Sequence, residues 1–271
     1  MTKTPRKLGV NCDCIDGLAP LQALNIIQAT GFDCFFSGTE ITDLATVLAI
    51  KEKSEKLGLS YEFIHAPYQG VNAMWREDES TKAFMDNVKQ AVDNAAAACI
   101  PQIILHASSS WTPPKMNDDG FARYDELVDY AAEKRVAIAF ENMRVFDHCN
   151  ALLTRYKNNP TATFCYDNGH EHCNTPERDY ISLFSDKLSC THLHDNFGKL
   201  DNYLTVGGDL HLLPFDGNFD FAQMIKRMDE QGYTGALTME IFNTSREDYK
   251  TYTAEAFFRT AYERLKKIAK M

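Results

Sequence analysis

The sequence predicts an α/β protein, a single (β/α)8 barrel over residues 1–271, and three observations carry that prediction. Short apolar runs alternate strictly with longer segments whose apolar residues recur every three or four positions, which is how parallel strands returned by helices read. The alternation passes through eight units, the number that closes a parallel sheet on itself. The C-terminal ends of six successive runs, the third to the eighth, carry His, Asp or Glu, and that end of such a barrel holds its chemistry. An open doubly wound sheet is the alternative, but the GxGxxG turn that would mark dinucleotide binding there is absent.

Strands are expected, in order, at 8–12, 34–37, 61–66, 102–107, 136–142, 163–168, 188–195 and 236–241, each an apolar run too short for a helix. Between them, apolar spacing of three and four predicts helices at 18–30, 42–57, 81–99, 121–134, 150–157, 176–185 and 219–230, and a last one at 249–270. Two connections are long, 68–77 after the third strand and 108–120 after the fourth. Both lie where strands feed helices, and long connections in a compact domain are often functional lids. No linker, low-complexity tract or repeat marks a second domain.

With 28 Lys plus Arg against 38 Asp plus Glu, the net charge is −10, which disfavours a long polyanion such as DNA as partner. The eight Cys form no CxxC pair and no regular framework, and several lie in apolar runs, so reduced core thiols are expected. The N-terminus lacks the apolar stretch of a signal peptide, and no run approaches the ~18 apolar residues of a membrane span. These features predict a cytoplasmic protein with no membrane partner, and a homo-oligomer is compatible with them.

The stretch 188–211 holds a dense set of metal-ligating side chains. His192 and His194 are two apart, as are Asp209 and His211, so on a strand each pair points to one face. His and Asp suit a borderline divalent ion, zinc above all. Further donors stand at the other strand ends: His65 on the third, His106 on the fourth, Glu141 on the fifth, Asp167 on the sixth with His170 three residues on, and Glu240 on the eighth. Two residues before them come Phe63, Ile104, Ala139, Cys165, Cys190 and Thr238, apolar or small as a filled barrel interior requires. A lone His at a strand end is usually a hydrogen-bonded structural residue, and a lone Asp or Glu there can cap the next helix. Six strand ends converging on one face differ, because so many buried ionisable groups carry a strong desolvation cost without a cation. The expectation is a site for one to three divalent ions, zinc or manganese.

The stretches FIHAPY, ILHAS, AFEN, CYDNGH, THLHDNFG, DLHLLPFDGNFDF and TMEIF, spread over the whole chain, resemble the xylose-isomerase-like superfamily of TIM barrels. That superfamily holds sugar and sugar-phosphate isomerases, ketose 3-epimerases and endonuclease IV. The resemblance implies a shared ligand set of Glu141, Asp167, His192 and Glu240. His192 is assigned rather than His194 because the pattern is His followed three residues later by an acid, here Asp195. The resemblance also matches His65, His106, His170, Asp209 and His211 to the additional ligands by which endonuclease IV holds three zinc ions. The departures are local. After the fifth-strand Glu, endonuclease IV has Asn-Thr-Ala-Gly, and this chain has Asn142, Met143 and Arg144. Its eighth-strand Glu-Thr-Pro is Glu240, Ile241, Phe242 here, and its DNA-intercalating loops are not recognisable. The ketose 3-epimerases carry an Asn-Arg pair soon after the seventh-strand His, where this chain has Asn196 followed by Phe197.

Two activities fit. The first is a metal-dependent sugar or sugar-phosphate isomerase or epimerase working through an enediolate. Glu141 and Glu240 would exchange a substrate proton, and His170 or His194 would hold a substrate oxygen. Arg144, Arg76 or Lys199 would take a phosphate, and Trp75 on the long third connection would line the substrate. The alternative is zinc-dependent hydrolysis of a phosphoester, as in endonuclease IV. The full set of nine ligand positions favours it; the acidic charge and missing DNA loops disfavour it.

Overall fold

The computed structural model describes residues 5–77, 79–202 and 208–271. Eight parallel strands form one sheet: β1 (Leu8–Asn11), β2 (Cys34–Ser37), β3 (Ser60–His65), β4 (Gln102–His106), β5 (Ala137–Glu141), β6 (Ala162–Asp167), β7 (Leu188–His192) and β8 (Leu237–Met239). Sheet neighbours follow chain order from β1 to β7, with β8 beside β1. The ring closes between β7 and β8 at a bridge of Leu193 to Met239, where the Leu193 N–H donates to the Thr238 carbonyl at 2.9 Å and the Glu240 N–H to the Leu193 carbonyl at 3.1 Å. The result is a (β/α)8 barrel.

Strands covered on both faces need apolar side chains throughout, and β1, β2 and β4 are buried along their whole length. Inside the barrel, Phe36, Phe63, Ile104, Ala139, Cys165 and Cys190 form one closed cluster. Five of these six are the interior residues that strand alternation predicts. Thr238, the remaining predicted one, is fully buried and its hydroxyl donates to the Thr191 carbonyl.

The helices are α1 (Pro20–Thr30), α2 (Leu44–Leu57), α3 (Ser80–Ala97), α4 (Asp118–Lys134), α5 (Phe146–Arg155), α6 (Asn168–Asn174), α7 (Tyr180–Leu183), α8 (Phe221–Glu230) and α9 (Ala254–Ile268). Local chemistry sets their ends. The Asp43 carboxylate accepts the Thr46 N–H and starts α2, and Gly58 ends it in the left-handed region at φ 71. Asn117, Asp220 and Thr253 cap α4, α8 and α9 in the same way.

The structure departs from expectation in four places, of which the fifth helix is the simplest, since α5 starts at Phe146 rather than at residue 150. The segment 176–185 holds only the single turn α7, and the chain forms α6 directly after β6 instead. The α6 sequence, NGHEHCN, has no apolar period, and its helix starts because the Asp167 carboxylate accepts the His170 N–H at 2.6 Å. The seventh strand stops at His192, and Asp195 beyond it makes only an isolated bridge with Leu212. The last helix starts at Ala254, after a 3-10 turn at Glu247–Thr251. Residues 203–207, within the expected ligand-rich stretch, lie outside the described residues. All eight cysteines are free thiols, with Cys99 alone exposed. Among the described residues, no helix is long and apolar enough to cross a membrane.

Candidate metal centre and cleft

Strand register brings the donors together. In the sheet His106 stands opposite Glu141 and Asp167 opposite His192. Four imidazoles surround the Glu141 carboxylate: His170 Nδ1 at 3.1 Å, His106 Nε2 at 3.3 Å, and His65 Nε2 and His192 Nδ1 at 3.4 Å. The donor atoms of Glu141, Asp167, His192 and Glu240 all lie within 4.8 Å of one another. Four further groups meet the same limit, among them His65 with His106 and Glu141, and His170 with Asp209 and His211. Glu141 is shared between the first two of these three groups, and His170 Nδ1, 3.1 Å from Glu141, joins the third to them, so they form one continuous cluster.

Hydrogen bonding fits a cation here. Among the described residues, the cluster and the adjoining His194 leave ten buried side-chain atoms without a hydrogen-bond partner, on His106, Glu141, Asp167, His170, His192, His194 and Asp209. Buried polar atoms are rarely left unpaired, and this set consists of imidazole nitrogens and carboxylate oxygens, the donors a zinc-type ion takes. Backbone carbonyls orient two of the rings. His65 Nδ1 faces the Ala66 carbonyl at 2.9 Å, and His211 Nδ1 faces the Glu240 carbonyl at 3.0 Å, so in each the Nε2 is turned inward. His211 holds this pose from a left-handed backbone, φ 46.

The electrostatics are those of tightly opposed charges. Burial works to raise the Glu141 carboxyl, but His192 and His106 beside it hold it well below the usual carboxylate range. Burial is likewise outweighed at Asp209, which His170 and His211 hold well below its usual value. Burial disfavours the charged His192, yet Glu240 and Glu141 push its pKa up to about 10. His211 rises to about 10 against burial because Asp209 faces it. His106 goes the other way, because burial outweighs its contact with Glu141. Metal ions would replace these protons at the same nitrogens.

Above the cluster opens a cleft of about 670 Å³, onto which His65, His106, Glu141, His170, His211 and Glu240 face. Asp167 and His192 lie beneath it, fully buried, with the His192 ring stacked on Phe36 at 5.0 Å. Arg144 lines the cleft. Four expected substrate contacts are placed elsewhere, and the first of them, Arg76, is exposed and outside the cleft lining. Trp75 is turned into the wall: its Nε1–H donates to the Ala107 carbonyl at 2.8 Å and its ring packs on Phe121 and Tyr124. His194 is fully buried, 3.2 Å from Asp167 and stacked beneath His211 at 4.0 Å, so it sits beside the candidate ligands and away from the cleft surface. Lys199 is exposed and outside the cleft lining.

Several residues to which the sequence assigned no site role brace the candidate ligands and the loops beside them. The Asn142 amide brackets Asp167, accepting its N–H and donating to its carbonyl, both at 2.8 Å. Asn168 does the same for His194 at 2.9 Å. Asn196 donates to the Gly169 carbonyl at 3.0 Å. The Asp195 carboxylate accepts the N–H groups of Phe215 and Phe219. The available signal was an acid followed by Asn at or just past three successive strand ends: Glu141-Asn142, Asp167-Asn168 and Asp195-Asn196. Gly169 has a steric reason, since a Cβ there would overlap the His194 ring.

Comparison with known proteins bears on the fold and the family. An uncharacterized protein, y4fM, of Sinorhizobium fredii is 27% identical over 183 residues, 62% of this chain, and the match spans just over half, 56%, of the y4fM length. A xylose isomerase domain protein of Planctomyces limnophilus superposes with a TM-score of 0.77 at 18% identity, covering 98% of both chains. A D-allulose 3-epimerase of Methylomonas sp., solved with D-allulose, superposes with a TM-score of 0.73 at 17% identity over 98% of this chain and 99% of its own. At these identities the structural likeness is one of fold. The family described as xylose isomerase-like TIM barrel matches residues 24–268, nearly the whole barrel, and this chain belongs to it.

Proposed function

We propose that the chain is a divalent-metal-dependent sugar isomerase or epimerase, with zinc or manganese as the ion. The observation that carries this reading is the placing of two carboxylates, Glu141 and Glu240, both in one donor group with Asp167 and His192 and both facing the cleft. A divalent ion in that group would polarise neighbouring hydroxyl and carbonyl oxygens of a sugar and acidify the C–H between them. Glu141 enters from β5 and Glu240 from the end of β8, three strands apart around the ring, so one can remove a proton and the other return it. His170 stands at the cleft within reach of a substrate oxygen. Asp167 and His192, beneath the floor, would hold the ion and leave the substrate to the others. The shared fold with a D-allulose 3-epimerase supports a sugar as the small-molecule partner.

A second reading has its own support. The two outer donor groups, His65 with His106 and Glu141, and His170 with Asp209 and His211, offer room for further ions, as metal-assisted phosphoester hydrolysis would use. One experiment separates the two. The zinc- or manganese-loaded protein is incubated with ketoses, aldoses and their phosphates in deuterated water, and with a simple phosphodiester. Carbon-bound deuterium in a recovered sugar, lost in Glu141→Gln, is the expected result. Silence across the sugars with clear cleavage of the phosphodiester overturns the isomerase reading.

A further inference from the structure

The ring of strand-end side chains continues past the imidazoles and carboxylates. Two residues beyond the interior Phe36, β2 gives way to Gly38, which has no side chain to offer. Asp13 fills the vacant place: a Cβ on Gly38 would overlap the Asp13 carboxylate. At the end of β1 stands Asn11, only 1% exposed. Its carbonyl oxygen accepts the Ile241 N–H at 3.2 Å, which pins the amide. The amide nitrogen lies beside the Asp13 carboxylate and has no hydrogen bond within normal geometry. Asp13 Oδ1 is likewise buried without a donor. Both residues line the cleft.

A buried donor and a buried acceptor left unpaired destabilise the site until something bonds them. Hydroxyl groups supply donor and acceptor together, so adjacent hydroxyls satisfy both. A phosphate brings acceptors and negative charge, and this side of the cleft repels it, because Asp16, Glu40 and Asp43 line the same rim. The single Arg or Lys among the described lining residues, Arg144, follows β5, half the ring away from β1. Those rim carboxylates alone would be an ordinary solvated edge; the buried Asn11 amide and Asp13 oxygen make the place a site. We propose that Asn11 and Asp13 form a hydroxyl-binding subsite that takes an uncharged polyol end of the substrate and refuses a phosphate ester, an inference that rests on the sugar-isomerase reading.

The test is calorimetric binding to the zinc-loaded chain, with D-allulose, D-tagatose and L-ribulose and with their terminal phosphate esters as probes. The free sugars should bind at least about tenfold tighter than the esters. Asp13→Asn should weaken the free sugars about tenfold and narrow the gap to the esters. Gly38→Ala displaces the carboxylate without removing its charge, so it should weaken the free sugars while the esters stay refused. Zinc content and thermal midpoint, measured on both variants, separate a local effect from loss of fold. Esters that bind as tightly as the free sugars, a ratio indifferent to both variants, or no binding by any free sugar would overturn the subsite. Binding is read without turnover, so a bound sugar that never gains deuterium defeats the isomerase reading alone. Preferred esters with deuterium exchange intact defeat the subsite alone.

Discussion

Phe63, Ile104, Ala139, Cys165 and Cys190 stand two residues below His65, His106, Glu141, Asp167 and His192 on the same five strands. The lower layer is apolar and buried, needing only volume, and nothing in it asks for a partner. The upper layer is equally buried, yet it leaves most of its polar atoms unpaired, a cost the fold has to carry. Local consistency fails in one layer and holds in the other, which is the signature of a functional layer resting on a structural one. The two should therefore respond to mutation in different currencies, activity above and stability below.

Glu141→Gln and Glu240→Gln should show the largest effect. Each keeps an oxygen ligand and the shape but cannot accept a proton, so turnover should fall about 10²-fold or more while the thermal midpoint barely moves. A matching collapse of stability would break the comparison. Next is Ile104→Ala in the lower layer, which should lower unfolding stability by about 2–5 kcal/mol in urea titrations, with zinc content kept while the chain is folded. Zinc lost from a chain of unchanged midpoint would mean that the layers are not separable. Asp209→Ala combined with His211→Ala should lower the zinc bound per chain, measured by elemental analysis, without emptying the Glu141, Asp167, His192 and Glu240 group. An unchanged count would leave those two residues a structural task only. The smallest effect belongs to Asn142→Ala, whose amide brackets Asp167. Zinc affinity should weaken about 10–100-fold through a loosened ligand, and competition with a chelator of known affinity reads it directly.

The barrel and the ring of donors were legible because both obey a period. Alternation along a strand places His65 above Phe63 and Glu141 above Ala139 whatever the tertiary detail. What escaped had no period to read. Helix α6 is polar and seven residues long, and it exists because Asp167 caps it, so apolar spacing moved the expected helix downstream. Trp75 reads as a loop aromatic free to meet substrate, whereas the 3-10 turn Val71–Trp75 drives it into the wall against Tyr124. Asn11 and Asp13 are hidden because the position they complete is a glycine just past the end of another strand, a relation of space that spacing along the chain does not express.

The central claim is that the upper layer is a metal centre, and anomalous diffraction at the zinc edge from metal-loaded crystals tests it most directly. An ion held by Glu141, Asp167, His192 and Glu240, with ligand distances of about 2 Å, is the predicted result. An ion bound elsewhere, or these four side chains standing more than ~4 Å from it, would contradict the account.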